Sequence, residues 1–312
     1  MSHEVLWSIG ELAERAAVTV KTVRFYSDQG LLPEASRSGG GHRRYGPDAL
    51  ERLRLIRSLR GLDLPLPEVR RVLDEDDGAG RVLEDAVAGR LRALGSELRA
   101  LRWREAALRL VRDSPPGERA ERLGLLGALD TPPSTAPLAR FWRAWLPARM
   151  PAPATSAFLE LAVPQPPAEP HPAQVLAFAR LNALISRPCP GGRQPRPEVH
   201  QVAGSGGSAA LYAGLAEAYD LAGPHLRRER TPRPGEALDA YVAAYASAYG
   251  TRDTRDFRRR LAHLLAAEPR LDRYWELTAA VLTPPGGRPE PTPGSADTWL
   301  RAALDGDNTH AA

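Results

Sequence analysis

Apolar residues recur at helical spacing through most of the chain, and the first such run is opened by a capping signal. Ile9, Leu12, Ala13 and Ala16 lie on one helical face. Ser8 and Glu11 precede and overlap that face at the S-x-x-E spacing, in which each side chain satisfies the other residue's backbone N–H. A break at Ala17-Val18 leads to Thr19, which suits an N-cap, and a second helix runs toward Gln29 with Val20 and Val23 turned to the core. Gly30 offers the left-handed residue that ends it. Two short helices with so brief a turn between them make a helix-turn-helix unit.

Pro33 through Gly46 reads as a loop or hairpin, with Gly39-Gly40-Gly41 allowing the reversal. Pro47 fits a first helical turn, and Leu50, Leu53, Ile56 and Leu59 continue as a third helix closed by Gly61. Leu66, Val69, Val72 and Leu73 form a short fourth helix before an acidic break at 74–77.

Residues 81–113 read as one long helix. Leu83, Val87, Leu91, Leu94, Leu98, Leu101 and Leu108 follow a spacing close to a heptad seam. Gly89 and Gly95 weaken that helix in isolation, so packing or dimer contacts must support it. Beyond Ser114-Pro115-Pro116-Gly117, proline-rich joints separate helical patterns near 138–146, 155–162, 173–186, 208–222, 236–249, 254–267, 269–282 and 295–304. No strand alternation or internal repeat interrupts them. The expected fold is mainly α, in three parts: a winged helix-turn-helix head at 1–77, a coiled-coil dimerisation helix at 78–116 and an all-α C-terminal region at 117–312.

Composition narrows the function classes. With 43% hydrophobic residues in 312, the chain can bury sizeable cores. The formal charge of +4 is modest, but residues 15–60 hold ten Lys/Arg against four Asp/Glu. Lys21 is the only lysine among 42 basic residues, so arginine counts speak only where position supports them. Cys189 is the only cysteine, which excludes an internal disulfide and a thiolate cluster. No pair of histidines has the spacing of a metal motif, and neither a metal nor a cofactor is expected. There is no apolar run of ~18 residues and no signal-peptide pattern at the N-terminus, so a cytoplasmic protein without a membrane partner is expected.

A DNA reader needs a helix for the major groove with phosphate contacts on either side of it. The second helix offers Thr19, Lys21, Thr22 and Arg24 on its early turns, and Tyr26 brings a hydroxyl within reach of a phosphate. The glycine-rich turn leads to His42-Arg43-Arg44-Tyr45, a basic tip suited to the backbone or the minor groove. In order, Ile9-Gly10-Glu11-Leu12-Ala13, Thr22-Val23-Arg24-Phe25-Tyr26, Gly30-Leu31-Leu32, Arg43-Arg44-Tyr45 and Leu66-Pro67-Glu68-Val69 resemble the head of the MerR family of transcriptional regulators.

The resemblance implies a homodimer joined by an antiparallel coiled coil, bound to a pseudo-palindromic promoter operator in double-stranded DNA. It further implies an effect on RNA polymerase exerted indirectly, by bending and undertwisting that DNA. On this reading Lys21, Thr22 and Arg24 enter the major groove, and Tyr26, His42, Arg43, Arg44 and Tyr45 hold the backbone. Phe25 and His42 depart from the tyrosines usual at those positions, and Pro65 and Pro67 crowd the fourth helix. Metal-sensing relatives keep a set of cysteines beyond the dimer helix; the single cysteine of this chain, Cys189, does not supply such a set, so metal sensing is not expected.

In the C-terminal region, Tyr241, Tyr245 and Tyr249 share a helix face and, with Trp142, Trp145 and Trp275, are candidates for lining a pocket for a small organic effector. Core packing is the competing explanation of such a stripe. Glu160, Glu217 and Glu276 are candidate counter-charges for a cationic effector. Gly204–Ser208 lacks the Lys-Ser/Thr of a phosphate loop and reads as a linker. The C-terminal region therefore reads as a sensor of a ligand or protein partner. The alternatives are an assembly module on an effector-independent DNA-binding protein, or a DNA-tethered enzyme; no nucleophile–base pair supports the last, and the chain is not expected to be an enzyme.

Overall fold

The Ser8 amide donates to the Glu11 carboxylate at 2.7 Å and the Glu11 amide to the Ser8 hydroxyl at 3.3 Å. Helix α1 (Ile9–Arg15) therefore starts where the capping box places it. The computed structural model describes residues 5–75, 79–147, 150–186, 205–265, 269–289 and 291–310, which form two units, Met1–Glu97 and Leu98–Ala312. Fourteen α-helices, a short 3-10 helix at Pro116–Glu118 and one small sheet make up the regular structure among these residues. Cys189 and Gly204 lie outside them.

In the first unit, Ala17 turns the chain at φ +51° and the Val18 amide donates back to the Ala13 carbonyl at 2.9 Å. Thr19 then caps α2 (Val20–Asp28), its hydroxyl accepting from the Thr22 amide at 3.1 Å. Gly30, at φ +71°, ends α2 and lets the Leu31 amide return to the Tyr26 carbonyl at 2.9 Å. The hairpin expected before Gly46 is present as β2 (Ser36–Arg37) and β3 (Arg43–Tyr45). A third strand, β1 (Trp7–Ser8), completes an antiparallel sheet of order β1-β3-β2. Two residues are too few for an alternating pattern to reveal.

Helices α3 (Pro47–Gly61) and α4 (Leu66–Asp74) close the unit. Helix α3 ends at Gly61, where the sequence closes it; two residues on, Asp63 takes the left-handed conformation at φ +57°, and the Leu64 amide reaches the Leu59 carbonyl at 3.2 Å. Aspartate tolerates that region because its short side chain can bond locally. Pro65 and Pro67 occupy the N-cap and first turn of α4, where a missing N–H costs nothing. Leu12, Val23, Leu31, Leu53, Ile56 and Val69 form the core. Val20, expected inward, is 40% exposed, whereas Val23 is completely buried.

The long helix α5 (Ala79–Arg112) has 34 residues. Its Ala86 belongs to the first unit's core, and Trp103, Ala106 and Leu110 are buried in the second unit. The second unit continues as α6 (Arg119–Gly127), α7 (Ala136–Trp145), α8 (Ala152–Ala162), α9 (Pro172–Ser186), α10 (Ser205–Arg227), α11 (Glu236–Ala248), α12 (Arg255–Leu264), α13 (Pro269–Leu282) and α14 (Pro293–His310). The sequence pattern did not announce α6, in which Leu125 and Leu126 are partly buried and Leu123 is exposed. Helix α10 begins at Ser205, inside the stretch that reads as a linker, and continues through Pro224.

Two apolar clusters organise this unit. One gathers Leu211, Leu238, Tyr245, Leu261 and Leu300 from α10, α11, α12 and α14. The other gathers Trp103, Trp142, Phe178 and Tyr274 from α5, α7, α9 and α13. Gly214 allows α10 to lie close to α11: a Cβ there would come within 2.7 Å of the Ala244 Cβ. Arg258 fastens α12 to Asp239, Asp253 and Asp307 at 2.8, 2.6 and 3.0 Å.

Candidate nucleic-acid interface

On α2 the helical period sends Val23 and Tyr26 into the core and leaves Lys21 and Arg24 exposed, with Thr22 half-buried. Thr19 is exposed at the cap, and its hydroxyl lies 2.9 Å from that of Thr22. The N-terminal turns of α2 thus carry two exposed cations, Lys21 and Arg24, about 60° apart around the helix, with the two threonine hydroxyls beside the cap; this is the part of a recognition helix that meets base edges in helix-turn-helix proteins.

On β3 the two-residue period separates the wing's side chains. Arg43 and Tyr45 share the face toward α2, and Arg44 takes the other. Tyr45 is completely buried and its hydroxyl meets the Ser27 hydroxyl at 2.8 Å. Arg43 donates from Nη1 to Asp28 at 2.7 Å, and its Nε lies 3.1 Å from Glu34. The hydrogen bond to Asp28 raises the Arg43 pKa above its ordinary value. Glu34 also holds Arg37, at 2.7 Å. His42 is exposed at the tip beside Gly41, which is at φ +79°.

These positions correct part of the sequence expectation. Tyr26 and Tyr45 were both expected at the phosphate backbone, and both are core residues. Tyr26 lies one turn after Val23 on the buried face, and Tyr45 satisfies its hydroxyl internally. Arg43 is engaged by two carboxylates that the sequence pattern gave no reason to pair with it. Thr19, Lys21, Arg24 and His42 are exposed, and Thr22 and Arg44 are half-buried.

Residues 7–76 match the model of the MerR HTH family regulatory proteins. The MerR-type helix-turn-helix is the fold of this head. Over 68 residues the chain is 46% identical to the nodulation protein NolA of Bradyrhizobium sp. (strain NC92), covering 22% of this chain and 29% of that protein. It is likewise 46% identical over 69 residues to the transcriptional activator TipA of Streptomyces coelicolor, covering 22% and 27%. The chain thus spans less than a third of the length of these curated relatives. Among solved structures, HiNmlR, a MerR family regulator lacking the sensor domain and bound to promoter DNA, is 25% identical, with 30% of this chain and 76% of that chain covered and a TM-score of 0.25.

Outside the MerR head, the aromatic candidates of the second unit divide. Trp142, Trp145, Tyr245 and Trp275 line a cavity of about 250 Å³ between the two apolar clusters. Tyr241 is buried and donates to Asp297 at 2.7 Å, and Tyr249 packs edge-on against Phe257 at 6.4 Å. Glu160, Glu217 and Glu276 are exposed; the acidic groups at the cavity are Asp272 and Asp297. Asp297 accepts from Tyr241 and, at 3.1 Å, from Tyr219, and it lies 2.9 Å from Arg301. Burial raises the Asp297 pKa against the opposing pull of Arg301. Burial, then the Asp297 charge, hold the Tyr219, Tyr241 and Tyr245 phenols well above their ordinary range. The i,i+4 spacing of Asp297 and Arg301 was the available sequence signal for this corner.

Proposed function

We propose that this chain is a sequence-specific DNA-binding transcriptional regulator that acts as a homodimer on a pseudo-palindromic promoter operator. The observation that carries the reading is the start of α2, with Thr19, Lys21 and Arg24 exposed and Thr22 half-buried, on a MerR-type head. Lys21 and Arg24 suit donors to base edges, Arg24 being able to bond guanine O6 and N7 together. His42 and Arg44 on the wing supply contacts to the backbone.

Dimerisation is supported by α5. Leu91, Leu94, Leu98, Leu101 and Leu108 of the heptad seam are all exposed, up to 72% at Leu108, while the opposite side of the helix buries Trp103, Ala106 and Leu110. Leu83 and Val87 are partly covered. Exposing five leucines on one stripe is unfavourable by about 1.5–3 kcal/mol each relative to full burial, which a second copy of the helix would recover. A 34-residue helix spans about 51 Å, enough to hold two heads one DNA turn of ~34 Å apart.

In this reading the dimer acts on RNA polymerase indirectly, through distortion of promoter DNA, and the second unit reports an organic ligand. The cavity between its two apolar clusters favours a sensor over a module used only for assembly. Footprinting on the chain's own promoter tests the function. Two protected half-sites about one turn apart, with altered cleavage between them, are expected; uniform protection of unrelated duplexes would reject sequence-specific action.

A further inference from the structure

A cavity of about 250 Å³ is large against the few small voids of a packed protein interior, and against the share of about 30 Å³ that one liquid water occupies. Its walls are aromatic and aliphatic apart from one corner. Trp142, Trp145 and Tyr245 are buried side chains whose rings nevertheless border open space. Trp275 on α13 is pressed so closely against Gly294 of α14 that any Cβ there would collide with its ring. That contact fixes the indole as a wall.

The polar corner has a definite charge. Arg301 is the single cationic side chain among the described residues that line the cavity, and two carboxylates flank it. Its Nη2 donates to Asp272 at 2.7 Å, and its Nε lies 2.9 Å from Asp297. Tyr219 and Tyr241 donate to the Asp297 oxygen that faces away from Arg301. These bonds hold Asp297 as an acceptor while a quarter of its side chain remains accessible at the cavity. One guanidinium between two carboxylates leaves an excess negative charge, and the surrounding ring faces are electronegative as well. An anionic guest would meet both. A neutral guest would gain the apolar contacts and leave the corner's charge unanswered.

We propose that this cavity binds an aromatic organic cation, with its ring among Trp142, Trp145, Tyr245 and Trp275 and its charge against Asp297 and Asp272. The inference gives a ligand class to the sensor reading and rests on it for regulatory consequence. Occupancy itself depends only on the cavity.

The test uses the full chain without DNA and three probes that share one ring system: 2-naphthylmethylammonium, 2-naphthylmethanol and 2-naphthoate. Calorimetry and quenching of tryptophan emission are the readouts. The ammonium should bind about tenfold more tightly than the alcohol, with the carboxylate weakest. Asp272→Asn, on a partly exposed carboxylate, should narrow that preference, and Asp297→Asn should abolish it. Ala216→Phe, which fills the cavity from α10, should remove binding of all three while far-ultraviolet dichroism stays unchanged.

Equal or tighter binding of the alcohol, no binding of the ammonium, or ammonium affinity that survives all three variants would overturn the proposal. Repeating the titration with operator DNA separates the two readings. Ammonium binding that leaves DNA affinity and footprint unchanged supports the site and rejects the sensor; intact operator binding without ammonium binding rejects the site alone.

Discussion

The hydroxyls of Ser27 and Tyr45 meet at 2.8 Å, joining the last turn of α2 to the central strand of the wing. Beside them, Arg43 reaches Asp28 and Glu34, so helix and wing are fastened by one half-buried hydroxyl contact and one ionic one. The position of the wing relative to α2 is thus set inside the head, before any partner arrives.

Tyr45→Phe keeps the ring and removes the hydroxyl, leaving Ser27 without that bond. A loss of about 1 kcal/mol in the stability of the head is expected, read by hydrogen exchange of the amides in β2 and β3. Exchange identical to that of the unaltered chain would show that the hydroxyl contact does not hold the wing.

The two wing arginines should behave differently. Arg44→Ala should weaken binding to every duplex and lower the salt slope by about 1. Arg43→Ala should act through local stability, with little change of slope, because its guanidinium already has two carboxylate partners. Arg24→Ala should instead cost about 1–3 kcal/mol on the operator and relax discrimination at one base pair. Affinities measured over a salt series on operator and random DNA separate the three; equal losses for Arg24→Ala on both DNAs would leave it only a phosphate contact.

Leu94→Glu with Leu98→Glu places two charges on the exposed stripe of α5. Neither leucine is in a core, so helical content should persist while sedimentation shows monomers and operator affinity collapses. A dimer that survives the pair would place the association surface elsewhere.

Gly294→Ala would drive a methyl group into Trp275. Since a ring in a packed wall yields poorly, a cost of about 1–3 kcal/mol is expected, together with a shifted tryptophan emission. An unchanged melting temperature and spectrum would mean that α13 and α14 separate easily at this point.

The Glu11 carboxyl is held below its ordinary pKa, first by the Ser8 backbone N–H and then by the Ser8 hydroxyl. A lowered folded-state value means that the capping box stabilises the head above the unfolded pKa and loses that contribution as pH falls through the folded one. Carboxyl titration followed by NMR should therefore show a midpoint below 4.5 for Glu11. Ser8→Ala should move it upward; a midpoint at or above the ordinary value would contradict the box.

Much of the head was legible because its signals are local. A cap at Ser8, a turn at Ala17 and a glycine at Gly30 each act within a few residues of themselves. The cavity was legible only in part. Helical spacing brought Tyr241, Tyr245 and Tyr249 to one face, but distance along the chain hid which of them lines a cavity with Trp142 and Trp275. The partners of Tyr45 and Arg43 were hidden for the same reason: Ser27 and Asp28 lie 18 and 15 positions earlier, where a period of two or 3.6 carries no information. Gly61 marked the end of α3, but the left-handed turn that follows it falls on Asp63, which no residue-type signal pointed to.

The solitary lysine has a practical corollary. Lys21 is exposed on α2, and every other basic side chain of the chain is a guanidinium or an imidazole. A reagent directed at primary amines therefore has one side-chain target, on the edge assigned to the groove. Acylation there would cancel a charge without touching a core residue, and a fluorophore placed there would report an approaching duplex from a single known address.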